Sequence, residues 1–261
     1  MKYLNLFKKT FALELSSEMA YKGNFFIKSL GLILADFIGP LVILLIYTNS
    51  SGIRGWGFEE FILFQGTFVL VTGLSHFLLL GLPFQVIENV REGTFDKILI
   101  KPFNPLIYLS FTSIDLEGLA EVLAGLSLVI WGFIKLDILI VSFNTLLYIF
   151  LILVAFIFLY AAFVLMSAMA FLFVKSFGLF DLFFKIIDVA RYPLNIYEGG
   201  MRFIFTFLIP IGIVSFYPAS SLLKGFSFVV FMEILVPVIL FLIFSLIMWN
   251  KAIRKYTSAG G

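Results

Sequence analysis

An ionisable side chain held inside an apolar stretch either performs a function or must be neutralised by a partner, so these residues come first. Asp36, Asp115, Glu117, Glu121 and Glu233 are of this kind. Glu117 and Glu121 stand four apart and share one face of a helix, while Asp115 points elsewhere. Two readings stand side by side. One is a polar lining or proton-linked path. The other is an interfacial position or an interhelical hydrogen bond, with Asp115 and Glu117 near the inner end of a span. Asp36 and Glu233 fall deeper, where they either pair with Ser, Thr or Gln65 across helices or carry a proton. The single histidine, His76, follows Thr72 by one turn and is expected as a neutral, hydrogen-bonded core residue. One histidine cannot build a multi-His metal site, and the chain has no cysteine for thiol or Cys-metal chemistry.

No phosphate loop of the G-x-x-x-x-G-K-[ST] type, no G-x-S-x-G elbow and no H-E-x-x-H pair occurs. The chain is therefore not expected to be an enzyme, and no cofactor of its own is expected. Its most informative polar segment is Pro83–Pro105, PFQVIENVREGTFDKILIKPFNP. Pro83 suits the first turn of a short helix. Val86, Ile87 and Val90 give that helix an apolar side, and Glu88, Arg91 and Glu92 a charged one. Gly93 is placed to end it, and Thr94 to cap a further turn holding Phe95, Asp96 and Lys97. Taken alone, this is a short interfacial helix joining two spans.

The elements that must position these groups follow from composition. Of 261 residues, 62% are hydrophobic and only 13% charged, so no soluble fold could hide the apolar surface. An all-α integral membrane protein is expected. A span needs about 20 apolar residues. Six candidates are Leu30–Tyr47, Phe61–Leu82, Leu106–Ile134, Leu146–Val174, Phe203–Tyr217 and Phe226–Trp249. Lipid offers no partner to an open backbone group, so all must be helical. The fifth is short and contains Pro210 and Gly212, which favours a re-entrant or kinked segment on length alone. Of the 18 Lys and Arg residues, 15 fall on alternate segments and three (Arg54, Lys135 and Lys224) on the others. That asymmetry places both termini in the cytoplasm and makes the fifth segment a crossing helix.

Residues 1–29 read as a cytoplasmic amphipathic helix with Leu4, Phe7, Phe11, Leu15 and Met19 along one stripe, turning at Gly23-Asn24 into a single membrane domain over 30–257. The first span then acts as an uncleaved signal anchor. A second amphipathic piece covers Lys175–Val189, with Asp181, Lys185 and Asp188 opposite Phe177, Phe180, Phe184 and Ile187. Gly66 and Gly73 permit close helix packing, and Trp56, Trp131 and Trp249 are expected at the membrane interfaces. Residues 258–261 are set aside as an added tail.

Three stretches carry a family resemblance: YKGNFF leading into the first span, ENVREGTFDKILIKPFNP, and RYPLNIYEGGMRFIFTFLIPIGIVSFYPASSLL. In this order the chain resembles the permease subunits of bacterial type-2 ATP-binding-cassette exporters, the branch whose ATPase is a separate subunit. The resemblance implies six transmembrane helices, an N-terminal elbow helix and a coupling helix between spans two and three. The coupling role would fall on Val86 through Phe95, with Glu88, Arg91, Glu92 and Gly93 as the matching residues. It further implies ATPase partners that bind ATP and Mg, and a second permease chain, identical or paralogous. The setting would be the bacterial cytoplasmic membrane, with lipid and no nucleic acid as a partner. The rival readings are a secondary transporter using the intramembrane acids and a membrane scaffold without transport.

Overall fold

The computed structural model describes residues 2–49, 52–53, 55–173, 177–225 and 227–257. Arg54, Lys175 and 258–261, which entered the sequence reading, lie outside the described residues, as does the side chain of Phe177. Twelve α-helices are present among the described residues, with no strand. They are α1 (Lys2–Ala20), α2 (Lys22–Asn49), α3 (Phe58–Leu79), α4 (Gly81–Arg91), α5 (Asp96–Leu99) and α6 (Pro105–Thr112). The second half holds α7 (Gly118–Lys135), α8 (Phe143–Ala170), α9 (Phe177–Asp188), α10 (Gly199–Phe203), α11 (Phe216–Lys224) and α12 (Phe228–Ile253). Five of them, α2, α3, α7, α8 and α12, are long and apolar enough to cross a bilayer. The protein is an all-α integral membrane protein.

The tightest pair is α3 with α7, which run antiparallel on glycine. A Cβ on Gly66 would lie 2.7 Å from the Leu128 Cβ, one on Gly73 would lie 2.7 Å from the Val122 nitrogen, and one on Gly132 2.9 Å from the Leu63 Cβ. Gly118 and Gly125 meet Phe77 and Leu70 in the same way. Gly118, Gly125 and Gly132 repeat every seven residues and interleave with Gly66 and Gly73, so the two backbones approach closely along the seam. Behind this seam α8 supplies the central core, with Tyr148, Leu151, Phe158 and Leu159 buried. The Tyr148 hydroxyl shares a 2.8 Å hydrogen bond with Thr67 on α3.

Several boundaries depart from the sequence expectations, each for a local reason. The turn after α1 falls at Tyr21 rather than Gly23-Asn24. Leu4, Leu15 and Met19 on the expected stripe are exposed, and α1 instead packs on α6 through Tyr3 and Phe7, whose rings meet Phe111. The expected span Leu106–Ile134 is two helices. Asp115 stops the first: its backbone N–H donates to the Phe77 carbonyl and its carboxylate accepts the Glu117 N–H at 3.0 Å. Trp56 and Trp249 are buried in side-chain clusters.

The largest correction concerns Phe203–Tyr217, which is not one helix. Helix α10 passes into a π-helical turn at Ile204–Leu208, the chain breaks at Ile209-Pro210, a 3-10 turn covers Ile211–Ile213, and α11 begins at Phe216. The stretch that runs the length of α3 lies earlier. Phe184 stands edge-on to His76, the Arg191 guanidinium lies 4.7 Å over the Phe68 ring, and Asn195 reaches Gly55. Residues 184 to 195 thus run antiparallel to residues 55 to 76, which include most of α3. Residues 199–224 then form a hairpin beside the N-terminal end of α3. Ala219 is buried there with Trp56, Phe61 and Phe64, and Ser215 bonds the Ala190 carbonyl. Helix α9 keeps the expected amphipathic character, with Asp181, Lys185 and Asp188 exposed and Phe180 and Ile187 buried.

Candidate functional site

The segment joining α3 to α7 is the candidate coupling site. Leu80 keeps helical dihedrals (φ −60°, ψ −37°), so α4 follows α3 with almost no break. Pro83 sits in the first turn of α4, where its missing N–H needs no partner. Gly81 is pressed against Ser113, and Gln85 Nε2 donates to the Thr112 carbonyl at 2.8 Å. These two contacts fasten α4 to α6. Gly93 has φ +66°, the left-handed conformation that ends a helix at low steric cost.

The turn after α4 is closed by Thr94 together with Asn89, which the sequence reading did not single out. Asn89 Nδ2 donates to the Gln85 carbonyl at 2.7 Å, and the Thr94 hydroxyl donates to Asn89 Oδ1 at 2.9 Å. The Thr94 N–H reaches the Asn89 carbonyl at 2.8 Å. Thr94 therefore braces α4 from behind and makes no side-chain cap on α5, contrary to expectation. Asn104 is a true cap: its carbonyl oxygen accepts from Leu106 and Ile107 at the start of α6.

Burial divides the expected coupling residues into two groups. Val86, Ile87 and Phe95 are buried, and the Phe95 ring lies edge-on to Phe171 and Tyr256. They anchor the segment to its own membrane domain and cannot touch a partner. Val90 and Gly93 are half-buried. Glu88, Arg91 and Glu92 are exposed and form the charged outer face. Lys97, Leu99 and Ile100 extend this face, Ile100 being 83% exposed. Leu99 and Ile100 lie in the same loop segment but were not singled out in the sequence reading.

The intramembrane polar residues fall into separate places. His76 Nδ1 lies 2.6 Å from Glu121 Oε2 across the α3–α7 seam, with Glu121 buried. Glu117 instead pairs with Lys28 of α2 at 2.7 Å, so the two glutamates serve different helices. Asp36 is buried, and its Oδ2 has no hydrogen-bond partner. Gln65, its expected partner, donates to the Arg191 carbonyl at 2.6 Å. Glu233 lines a cavity with Arg202, Thr206 and Tyr217. These residues do not form one continuous chain of hydrogen bonds. Near the inner end, burial first and then the charges of Asp115, Glu18 and Glu117 raise the Glu14 carboxyl above its ordinary 4.5.

The described residues hold no cluster of ligating side chains able to bind a metal ion. The arrangement is that of a helical membrane body with an exposed, charged and well-braced loop between α3 and α7. No curated protein and no solved structure matches the chain. The family model described as ABC-2 family transporter protein matches residues 31–260, nearly the whole membrane body. The chain therefore belongs to the ABC-2 transporter family, as a membrane permease subunit of a type-2 ABC transporter.

Proposed function

We propose that this permease is an exporter subunit that works as one of a pair, identical or paralogous, driven by separate ATPase subunits that bind ATP and Mg. The observation that carries the reading is the division of the α3–α7 connection into a buried anchor (Val86, Ile87, Phe95) and an exposed charged face (Glu88, Arg91, Glu92). A partner can grip such a face without unfolding what lies beneath it. ATP-driven closure of the ATPases would displace α4, and its near-continuity with α3 would pass the displacement into the bilayer. Free energy is transmitted only through contacts that differ between the two states.

The pairing rests on α9. In the proposed topology the chain crosses between about residues 177 and 197, a length of about 30 Å if helical, and 199–224 re-enters from the outside. The crossing carries Asp181, Lys185 and Asp188 exposed on one side. Charges at such positions are costly against lipid and are found facing protein or water-filled paths. A second permease chain supplies that environment. The basic residues remain asymmetric under this topology, twelve inside against four outside with Lys185 and Arg191 within the crossing, so both termini stay cytoplasmic in a bacterial inner membrane.

The test is co-purification with an ATPase subunit, followed by substrate-stimulated ATP hydrolysis in liposomes. Transport by the permease alone, driven by a proton gradient, would overturn the reading in favour of a secondary transporter.

A further inference from the structure

We propose that the outer half of this permease holds a binding site for a zwitterionic amphiphile of the phosphatidylethanolamine type, its head between Arg202 and Glu233 and its tail along α12. The proposal rests on the topology just given and names the class of molecule that this body handles.

The head site is a cavity of about 300 Å³ between the re-entrant hairpin and the start of α12. Arg202 and Glu233 both line it, together with Thr206 and Tyr217. Arg202 and Glu233 do not form an ion pair with each other, unlike Lys28 with Glu117 or Arg191 with Asp188. Two opposite charges that face one cavity without joining each other fit a ligand that carries both signs. A phosphate would sit on the guanidinium, which binds it through two parallel hydrogen bonds, and an ammonium on the carboxylate. Glu233 offers a second acceptor. Residue 237 is proline, so the Glu233 carbonyl lacks the N–H donor that a helix normally provides four residues on.

The tail site adjoins it. A second, apolar cavity of about 590 Å³ shares Phe207 with the first and descends past Pro237, Leu240, Phe241 and Phe244. From Glu233 to Phe244 the helix rises about 16 Å, the depth of one leaflet of a hydrocarbon core about 30 Å thick. The π-helical turn at Ile204–Leu208 places Thr206 toward the polar cavity and Phe207 at the junction of the two. Cavities of 300 to 1,000 Å³ are the ordinary size of ligand sites. The pair of cavities therefore has the polarity, length and volume of a phospholipid-like molecule seated in the outer leaflet.

The test uses the full chain, delipidated and returned to nanodiscs containing phosphatidylethanolamine or phosphatidylglycerol, with retained lipid counted by native mass spectrometry. The expected result is at least tenfold greater retention of phosphatidylethanolamine. Arg202→Gln or Glu233→Gln should each bring that ratio close to one, with the elution profile and Tm of the parent protein. Leu240→Trp should reduce retention of both lipids. Tail-free glycerophosphoethanolamine should compete at least a hundredfold more weakly, which separates a lipid site from a site for a soluble zwitterion. Equal retention of the two lipids, or a preference that survives both neutralisations, overturns the proposal. So does spontaneous cross-linking between two chains at Met201→Cys in this cysteine-free sequence, because a second copy would then fill the cavity. Binding is measured without any ATPase, so failure to associate with one would count against the proposed function and leave the site standing.

Discussion

His76 Nδ1 and Glu121 Oε2 lie 2.6 Å apart, at the turn where a Cβ on Gly73 would collide with Val122. The ion-pairing residues and the glycine that lets their helices meet are parts of one contact. Removing His76 alone leaves a buried carboxylate without its partner. We expect His76→Leu to destabilise the permease by about 3–5 kcal/mol. The double variant His76→Leu/Glu121→Leu should recover most of the loss. Thermal unfolding in detergent measures both, and equal losses in the two variants would sink the assignment.

The glycine seam makes a contrast of its own. Gly125→Ala places a methyl group into the Leu70 backbone, and overpacking of this kind costs about 1–3 kcal/mol or more. Gly31→Ala on α2 meets nothing within 4 Å and should be neutral or stabilising by up to about 1 kcal/mol. The Tm values of the two alanine variants, measured side by side, test the seam directly.

Burial predicts opposite phenotypes within the coupling segment. Phe95→Ala removes a fully buried ring and should cost about 3–5 kcal/mol, seen as lost expression or lowered Tm. Arg91→Glu and Ile100→Asp change exposed residues. They should leave membrane insertion and Tm unchanged while lowering substrate-stimulated ATP hydrolysis severalfold. Unchanged hydrolysis in both would remove this face from the coupling surface.

The seating of α1 on α6 should depend on pH through Glu14. Its carboxyl is raised above 4.5 in the folded protein, by burial and then by Asp115, Glu18 and Glu117. An acid whose folded pKa is raised binds its proton more tightly when folded. Its stabilising contribution is complete below 4.5 and is lost as pH climbs through the raised value. Hydrogen exchange over residues 3–18 should therefore slow on mild acidification, and Glu14→Gln should abolish that change.

Much of this was legible in the sequence because membrane helices are written in long apolar runs. The runs ending near Tyr47, Leu82 and Trp249 correspond to α2, α3 with the start of α4, and α12. Gly93 was legible as a helix stop because few other residues accept its φ of +66°. The amphipathic α9 was legible from its charge spacing, but the course of the chain after it was not, because Arg191 and Asn195 pack on Phe68 and Gly55, far earlier in the sequence. The split after Thr112 was hidden because Asp115 settles its backbone N–H on the Phe77 carbonyl of α3, a contact distant in sequence. Gly118, Gly125 and Gly132 passed unnoticed while Gly66 and Gly73 were marked, since only the facing helix gives either set its meaning. Arg202 and Glu233 lie 31 residues apart in separate elements. Only the fold brings them to one cavity.

The interleaved glycines of α3 and α7 have a mechanical consequence. Where side chains separate two helices, rotamer changes can take up small displacements and the pair is compliant. Here backbone meets backbone, so there is no soft layer to compress. A displacement of one helix of this pair is therefore expected to carry the other with it as a stiff beam.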